Sequence, residues 1–403
     1  MRRLIGLWLA WLVLIAGVNL ASPLYHVYAA RFSFSPLVLT AIFSTYAIVL
    51  VPALVLFGRL SDRFGRRPVL ASGLLTGCVG LLLFAFAQGD AWLFTARAVQ
   101  GLAVAMVSGP ATAALVEVDP QGSRRRAALG AGLAQSLGSA VGPLFAGMLA
   151  EFAPYPLRLP YLVGLVLTVA AAIVVLRLPE ARRGTPEPWR PQWPRVPAEI
   201  RRSFLRVALT GGVGWAALSL YLSIVPSYAA SLLQTHALAL LAAVATTALL
   251  ASSAAQSLAA RWVGSWRRDQ ALGCILVAVG LGGLIVAAPT GSFAALLLGA
   301  LVAGAGQGLA FLTAQEELNE LAPDERRGEV TAAFIAVTYA CVAGFVVASG
   351  LLALAVSLQR AVEGVAAALI AVSLGTAAWH AVNPRAGAPR RRAAAPRSVA
   401  ARR

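Results

Sequence analysis

Apolar residues occur in twelve long runs that are separated by short polar or basic segments. Each run supplies roughly the 20 apolar residues that an α-helix needs to cross a bilayer core about 30 Å thick. The pattern predicts an all-α membrane protein with twelve transmembrane helices. We place these helices near residues 4–28, 36–57, 69–88, 91–116, 127–150, 158–177, 204–229, 237–260, 270–288, 293–315, 329–353 and 361–381.

The composition agrees with a chain that lies mostly inside a bilayer. Of its 403 residues, 59% are hydrophobic and 12% are charged, and the mean hydropathy is +0.77. A soluble domain carries about 25% charged residues, so the composition excludes that class. The first run could in isolation be a signal peptide, but its length and the eleven runs that follow favour a membrane span.

The basic residues lie on alternate loops. The net charge of +17 would indicate a nucleic-acid partner in a soluble protein. In a membrane protein, the positions of the arginines instead indicate which loops are cytoplasmic. All 33 basic residues except Arg31, Arg97, Arg158 and Arg360 fall on one side of the predicted membrane. The positive-inside rule therefore predicts cytoplasmic termini and a multi-pass protein of the bacterial inner membrane. We expect the lipid bilayer to be its partner and expect no nucleic-acid partner.

The chain divides into four regions. Residues 179–203 are rich in proline and arginine, which is typical of a cytoplasmic linker. They separate an N-terminal six-helix half, residues 1–178, from a C-terminal half, residues 204–382. We expect the tail, residues 383–403, to be disordered; its arginines either lie in water or contact anionic lipid head groups.

The two halves carry a similar motif. The sequence from Gln100 to Ala103 recurs from Gln307 to Ala310, and a charged loop follows in each case. Two six-helix halves in parallel repeat are a known transporter layout, with the substrate site between them near the midplane.

The loop between the second and third runs reads GRLSDRFGRRP over residues 58–68. Gly58 and Gly65 allow a tight turn. The arginines of the loop have Glu117 and Asp119, on the same side of the membrane, as candidate partners. The loop closely resembles the signature loop of the major facilitator superfamily. The resemblance implies a conformational latch between the halves, formed by Gly58, Asp62, Arg63, Gly65, Arg66 and Arg67 with Glu117 and Asp119. The alternative is a merely basic inside loop, and the counterpart at residues 261–268 lacks the aspartate.

Arg97 is the only basic residue well inside a predicted span. Gln100 and Gly101 follow it on the same helix face. The segment is similar to a second signature of the family, found in proton-coupled members. A charge at this depth is costly unless it faces a cavity or a partner, so we expect a role for Arg97 and Gln100 in proton coupling or substrate binding. The alternative is an arginine that snorkels to the interface.

The fifth predicted helix contains a run of small residues between positions 138 and 147. It is similar to the motif of the drug:proton antiporter branch, although Ala146 stands where the family has glycine. Small residues four apart let helices pack closely, and proline bends a helix. The residues that carry the motif are Gly138, Gly142, Pro143 and Gly147; plain helix packing is the alternative.

No carboxylate lies inside a predicted span of the first half, so proton coupling is implied only by the resemblance. His26 is a further candidate for proton coupling or substrate binding, since histidine is the side chain whose ordinary pKa lies near neutral pH; the alternative is a histidine that settles at the membrane interface. Polar and aromatic side chains on the helices that line the central cavity in this fold are candidates for substrate contact or for interhelical hydrogen bonding: Asn19, Gln135, Trp215, Tyr221, Gln256, Gln307 and Tyr339.

The resemblance covers essentially the whole chain. It implies a secondary transporter that exports a small organic or drug-like molecule by alternating access, with the proton gradient in place of a cofactor and no metal. The alternative is a carrier of the same fold for a metabolite such as a sugar, an amino acid or an organic anion. A membrane enzyme is disfavoured because His26, His236 and His380 lack paired acids or ligand spacing. We expect a monomer, since a twelve-helix carrier encloses its own pathway.

Overall fold

The computed structural model describes residues 2–57, 60–118, 124–178, 195–235, 237–261, 264–323 and 326–382. Helices account for most of these residues. Their bounds are α1 Arg2–Asn19, α2 Tyr25–Phe32, α3 Pro36–Phe57, α4 Leu60–Phe64, α5 Arg66–Ala85, α6 Asp90–Val118, α7 Arg124–Phe152, α8 Leu159–Arg177, α9 Arg201–Ser223, α10 Val225–Leu233, α11 Leu238–Ala259, α12 Trp266–Thr290, α13 Phe293–Leu321, α14 Arg327–Ala355 and α15 Leu358–Val382.

Twelve helical segments within the described residues are long and apolar enough to cross a membrane. This confirms the predicted number of spans and the all-α fold. Because the number is even, Arg2 and Val382 lie at the same end of the bundle. We call this end the terminus side and the other end the opposite side.

The first span of each half is broken, which corrects the continuous helices predicted at 4–28 and 204–229. A 3-10 turn, Ser22–Leu24, separates α1 from α2, and Ile224 separates α9 from α10. A proline lies at each break, Pro23 in the turn and Pro226 in the first turn of α10. Proline lacks a backbone N–H and clashes with the preceding turn, so both helices end before it.

Several helices extend past the predicted ends on the terminus side. The α13 helix continues to Leu321 instead of ending at residue 315, α12 begins at Trp266, and α9 begins at Arg201 inside the predicted linker. Hydropathy marks the bilayer core and not the polar turns beyond it. Residues 179–194 and 383–403 lie outside the described residues, so the linker and tail stay predictions.

The two halves pack against each other through two helix pairs. In one pair α7 of the first half contacts α11 of the second, and in the other α3 contacts α14. One buried apolar cluster includes residues of both halves, among them Leu24 and Tyr28 from the first and Leu222 and Tyr228 from the second. Ser22 also donates a hydrogen bond to the carbonyl of Leu222. These contacts join the halves on the opposite side.

Candidate functional site

Arg97 is buried, with 3% of its surface exposed. Its guanidinium donates to the carbonyl of Val18 at 2.9 Å and to the side-chain oxygen of Gln100 at 3.0 Å. Gln100 in turn donates to the carbonyl of Gly17 at 3.5 Å. The last carbonyls of a helix have no partner within the helix and carry the negative end of its dipole. The break after α1 therefore supplies the acceptors that hold Arg97.

Three aromatic rings surround the same guanidinium. Its Cζ lies 5.1 Å from the ring centre of Phe43, 5.4 Å from that of Tyr46 and 5.8 Å from that of Tyr25. Such geometry stabilises a cation by about 0.5–2 kcal/mol. The partners that the described residues supply to Arg97 are all neutral, and its Nε has no hydrogen-bond partner among them.

One of these rings connects Arg97 to the second half of the protein. Tyr46 on α3 lies edge-on to Tyr339 on α14, with ring centres 6.1 Å apart. A movement of one half relative to the other would therefore displace a direct neighbour of the buried arginine.

A polar chain crosses between the halves at the pair of α7 and α11. Gln256 donates to Ser136 at 3.3 Å and to Ser252 at 3.1 Å, and Ser252 donates to the side-chain oxygen of Gln307 at 2.5 Å. Gln135 is half-buried beside Ser136. The chain joins first-half α7 to second-half α11 and α13, and two predicted cavity residues, Gln256 and Gln307, are linked in it through Ser252.

The other predicted cavity residues lie apart from one another. Asn19 donates to Ile15 O at 2.9 Å and to Ser139 at 3.4 Å. Trp215 packs edge-on to Phe311, with ring centres 5.6 Å apart. Tyr221 is fully buried and donates to the carbonyl of Gly280 at 3.4 Å, between α9 and α12.

His26 begins the short helix α2, and its Nδ1 lies 3.0 Å from the carbonyl of Pro23. This contact holds the imidazole against the proline turn of its own chain segment. The neighbouring residue in sequence, Tyr25, supplies one of the three rings around Arg97.

The small-residue motif places α7 against both halves. A Cβ at Gly138 would lie 2.6 Å from Leu12 O on α1, and Gly142 lies against Ala16 of the same helix. A Cβ at Gly147 would lie 2.8 Å from the Cβ of Ala242 on second-half α11.

Two other residues lie in the part of α7 that is nearer the opposite side. Pro143 lies inside α7. One turn past Gly147, Glu151 accepts a hydrogen bond from the Ala239 amide at 2.8 Å. The close approach of α7 and α11 therefore occurs on the opposite side of the bundle.

The signature loop is described in part. Gly65 has φ of +92°, a conformation that favours glycine, and it is the N-cap residue directly before α5. Arg66 pairs with Glu117 at 3.4 Å and donates to Ser61, while Arg63 lies over the ring of Phe64 at 5.3 Å. Arg67 is half-buried on the first turn of α5.

Part of the predicted latch falls outside the described residues, namely Gly58, Asp119 and the side chain of Asp62. The pair of Arg66 and Glu117 lies within the first half. The role of the loop as a latch between the halves stays a prediction.

A second buried cation lies in the other half, where we predicted none. Arg206 on α9 is 2% exposed and forms an ion pair with Glu317 on α13, which is 5% exposed. Gln270 on α12 donates to the same carboxylate at 2.7 Å and to Thr313 O at 3.3 Å. Arg97 is therefore not the only buried arginine among the described residues, although Arg206 lies near the start of a predicted span and not well inside it.

This cluster continues to α15. Thr210 lies one turn after Arg206 and is 2.8 Å from Nε2 of His380. Hydropathy missed the cluster because its charged members, Arg206 and Glu317, lie near or beyond the end of a predicted span. Thr313 and Glu317, four residues apart and so on one face of a helix, were the signal for a polar continuation of that span.

A family model for the Major Facilitator Superfamily matches residues 7–348. The chain belongs to the major facilitator superfamily. It is therefore a secondary transporter of twelve spans and not an enzyme. The fold agrees: a POT family transporter in complex with 5-aminolevulinic acid superposes with a TM-score of 0.77, at 12% identity, over 94% of this chain and 96% of that one.

Three curated relatives are similar in sequence to part of this chain. A Bacillus subtilis MFS-type transporter, YybF, is 27% identical over 41% of this chain and 40% of its own length. The class B tetracycline resistance protein of Escherichia coli is 30% identical, over 34% of this chain and 33% of its own. The human vesicular acetylcholine transporter is 36% identical, over 34% and 25%. The matches span less than half the length of each relative.

Proposed function

We propose that this carrier exports a small organic molecule in exchange for protons, by alternating access between its two halves. The observation that carries the proposal is the site of Arg97. The buried cation is held by the end of α1, and Tyr46 connects it to Tyr339 of the other half. A buried charge in a membrane span marks a substrate or ion pathway.

The chemistry around Arg97 favours an apolar, amphipathic or weakly anionic cargo. Phe43, Tyr46 and Tyr25 supply flat apolar faces, and the guanidinium lacks a carboxylate partner among the described residues. A sugar would need many buried hydrogen-bond partners instead. The tetracycline resistance protein among the relatives supports a drug-like cargo. Gln100 orients Arg97 in this proposal.

The proton is assigned to Glu317. It is the only buried carboxylate among the described residues, and its partners are Arg206 and Gln270. Protonation would leave Arg206 as an uncompensated charge in the second half, and such a change is able to shift a two-state equilibrium. His26 stays a second candidate for protonation.

Alternating access requires that the contacts on the opposite side separate. These are the approach of Gly147 to Ala242, the bond from Ala239 to Glu151 and the bond from Ser22 to Leu222. When they separate, the predicted latch at Asp62 and Arg66 closes the terminus side. In this proposal the terminus side is cytoplasmic, the membrane is the bacterial inner membrane and the carrier acts as a monomer.

The proposal is tested in proteoliposomes with a panel of fluorescent amphipathic compounds, with and without an imposed pH gradient. Wild type is compared with Arg97→Ala, with Asp62→Asn and with the matched control Arg31→Ala. Arg31 also lies over a ring, that of Phe32 at 5.7 Å, but it is exposed.

We expect movement that follows the gradient, abolished by the first two changes and kept by the control. If no compound moves under any gradient while a labelled organic anion, amino acid or sugar does, the carrier serves a metabolite and the export proposal is wrong.

A further inference from the structure

A cleft of about 490 Å³ opens on the terminus side of the second half, away from the site of Arg97. It lies between the beginnings of α9 and α12 and the end of α15. Its walls hold three arginines, one hydroxyl and two apolar side chains: Arg202, Ser203, Leu205, Arg206, Arg267 and Trp379.

The cleft is positively charged. Arg202 is exposed and Arg267 is half-buried, while Arg206 forms the buried wall. Of the acidic residues nearby, Glu317 is already bound by Arg206 and Gln270, and the carboxylate of Asp269 on the first turn of α12 lies against Gly264. The N-terminal ends of α9 and α12 add further positive potential.

One buried donor in this wall is unused. Arg206 is 2% exposed, yet its Nη1 has no hydrogen-bond partner among the described residues, although the other end of the guanidinium binds Glu317. A buried charged donor without a partner is costly. A guanidinium fork is suited to the paired oxygens of a phosphate, so a phosphate oxygen in the cleft would satisfy Nη1.

The apolar wall faces away from the protein. Leu205 is 47% exposed and Trp379 is 38% exposed, each on a membrane-spanning helix near its terminus-side end. Tryptophan at that depth is typical of the level of the lipid head groups, and basic pockets between transmembrane helices bind anionic head groups.

We propose that this cleft is a binding site for a phosphate group, held by Arg202, Arg206 and Arg267, with Leu205 and Trp379 beside the acyl chains when the phosphate belongs to an anionic phospholipid. The two sources of this chemistry are a lipid of the leaflet on the terminus side and a free phosphate in the water beside it. Neither depends on the cargo or on the direction of transport.

The test uses the full chain purified in a neutral detergent. Adducts are counted by native mass spectrometry, and melting midpoints are measured, with added dioleoyl phosphatidylglycerol, dioleoyl phosphatidylcholine or inorganic phosphate. The test variant is Arg202→Gln with Arg267→Gln. The matched control is Arg201→Gln with Arg268→Gln, which removes the same charge from the exposed neighbours of those residues at the same two helix ends.

We expect the first phosphatidylglycerol molecule to bind wild type and the control about tenfold more tightly than phosphatidylcholine, and the test variant to lose this preference. Inorganic phosphate that raises the midpoint of wild type, with equal binding of the two lipids, would support the site and identify the free anion as its source. Equal lipid binding without any phosphate effect, or a test variant that binds like the control, would overturn the proposal. If the double variant does not fold, Arg202→Gln alone, at an exposed position, is measured in the same way.

Discussion

The two deep arginines of this carrier are held in different ways. Arg97 in the first half is bound by the carbonyl of Val18, the amide of Gln100 and three rings, all of them neutral. Arg206 in the second half is bound by the carboxylate of Glu317. The first site therefore keeps a net positive charge, whereas the charges of Arg206 and Glu317 in the second site balance each other.

The difference assigns separate roles to the two halves. A cation held by a helix end and by rings has no carboxylate to titrate, so it is suited to a cargo. A buried ion pair loses its balance when one partner changes charge. In the function proposed above, the proton acts on the second half on the terminus side, while the cargo meets the first half nearer the opposite side.

The largest expected effect is on stability and comes from breaking the ion pair. Glu317→Ala leaves Arg206 buried without a carboxylate, which costs about 3–5 kcal/mol of folding free energy. We expect a lower melting midpoint in detergent. Glu320→Ala removes an exposed acid one turn away and is the control; equal midpoints for the two variants would show that the pair is not what holds Arg206.

The next effect is on transport at the first site. Arg97→Met removes two hydrogen bonds from a charged donor, each worth about 1.5–3 kcal/mol. We expect the initial rate of transport to fall about 10- to 100-fold if one such hydrogen bond stabilises the transition state of the conformational change more than the resting state. The variant should fold normally, since it removes a charge and leaves no buried ion behind. A wild-type rate would remove Arg97 from the pathway.

A smaller effect is expected from one ring of the same site. Tyr46→Leu removes a cation–π contact with Arg97 and the contact with Tyr339, and we expect a reduction of about two- to fivefold in rate, which corresponds to the 0.5–1 kcal/mol of such a contact. Tyr46→Phe keeps the ring and serves as the control. Equal rates for the leucine and phenylalanine variants would contradict a role for the ring.

The smallest effect on transport is expected at the edge of the second site. Thr210→Val removes the hydrogen bond to His380 and keeps the shape of the side chain. We expect a loss of about 1 kcal/mol in stability and no change in transport. A large loss of transport, measured in the same proteoliposomes, would extend the proton pathway from Glu317 to His380.

The sequence predicts one of the two sites. Hydropathy and loop charge determine the number of spans, and the depth of Arg97 identifies the first site because an arginine seven residues into a span needs a partner. What the sequence does not show is the break after Asn19, which frees the carbonyl of Val18 as that partner. Pro23 was its only signal.

The second site escapes prediction for a physical reason. Arg206, Gln270 and Glu317 each lie next to polar loops, where charged residues are normally exposed. Their burial arises from the packing of α9 against α12 and α13, and such contacts between distant segments leave no periodic pattern in one segment. From the sequence alone, these residues are therefore expected at the membrane–water interface. Their burial becomes visible only when the helices are packed together.

The most direct test compares two kinds of transport in Glu317→Gln proteoliposomes, with any substrate that the wild type carries. The glutamine keeps the shape and cannot release a proton. We predict that exchange of labelled for unlabelled substrate continues, while accumulation driven by a pH gradient is lost. Gradient-driven accumulation equal to that of the wild type would contradict the assignment of the proton to the second half.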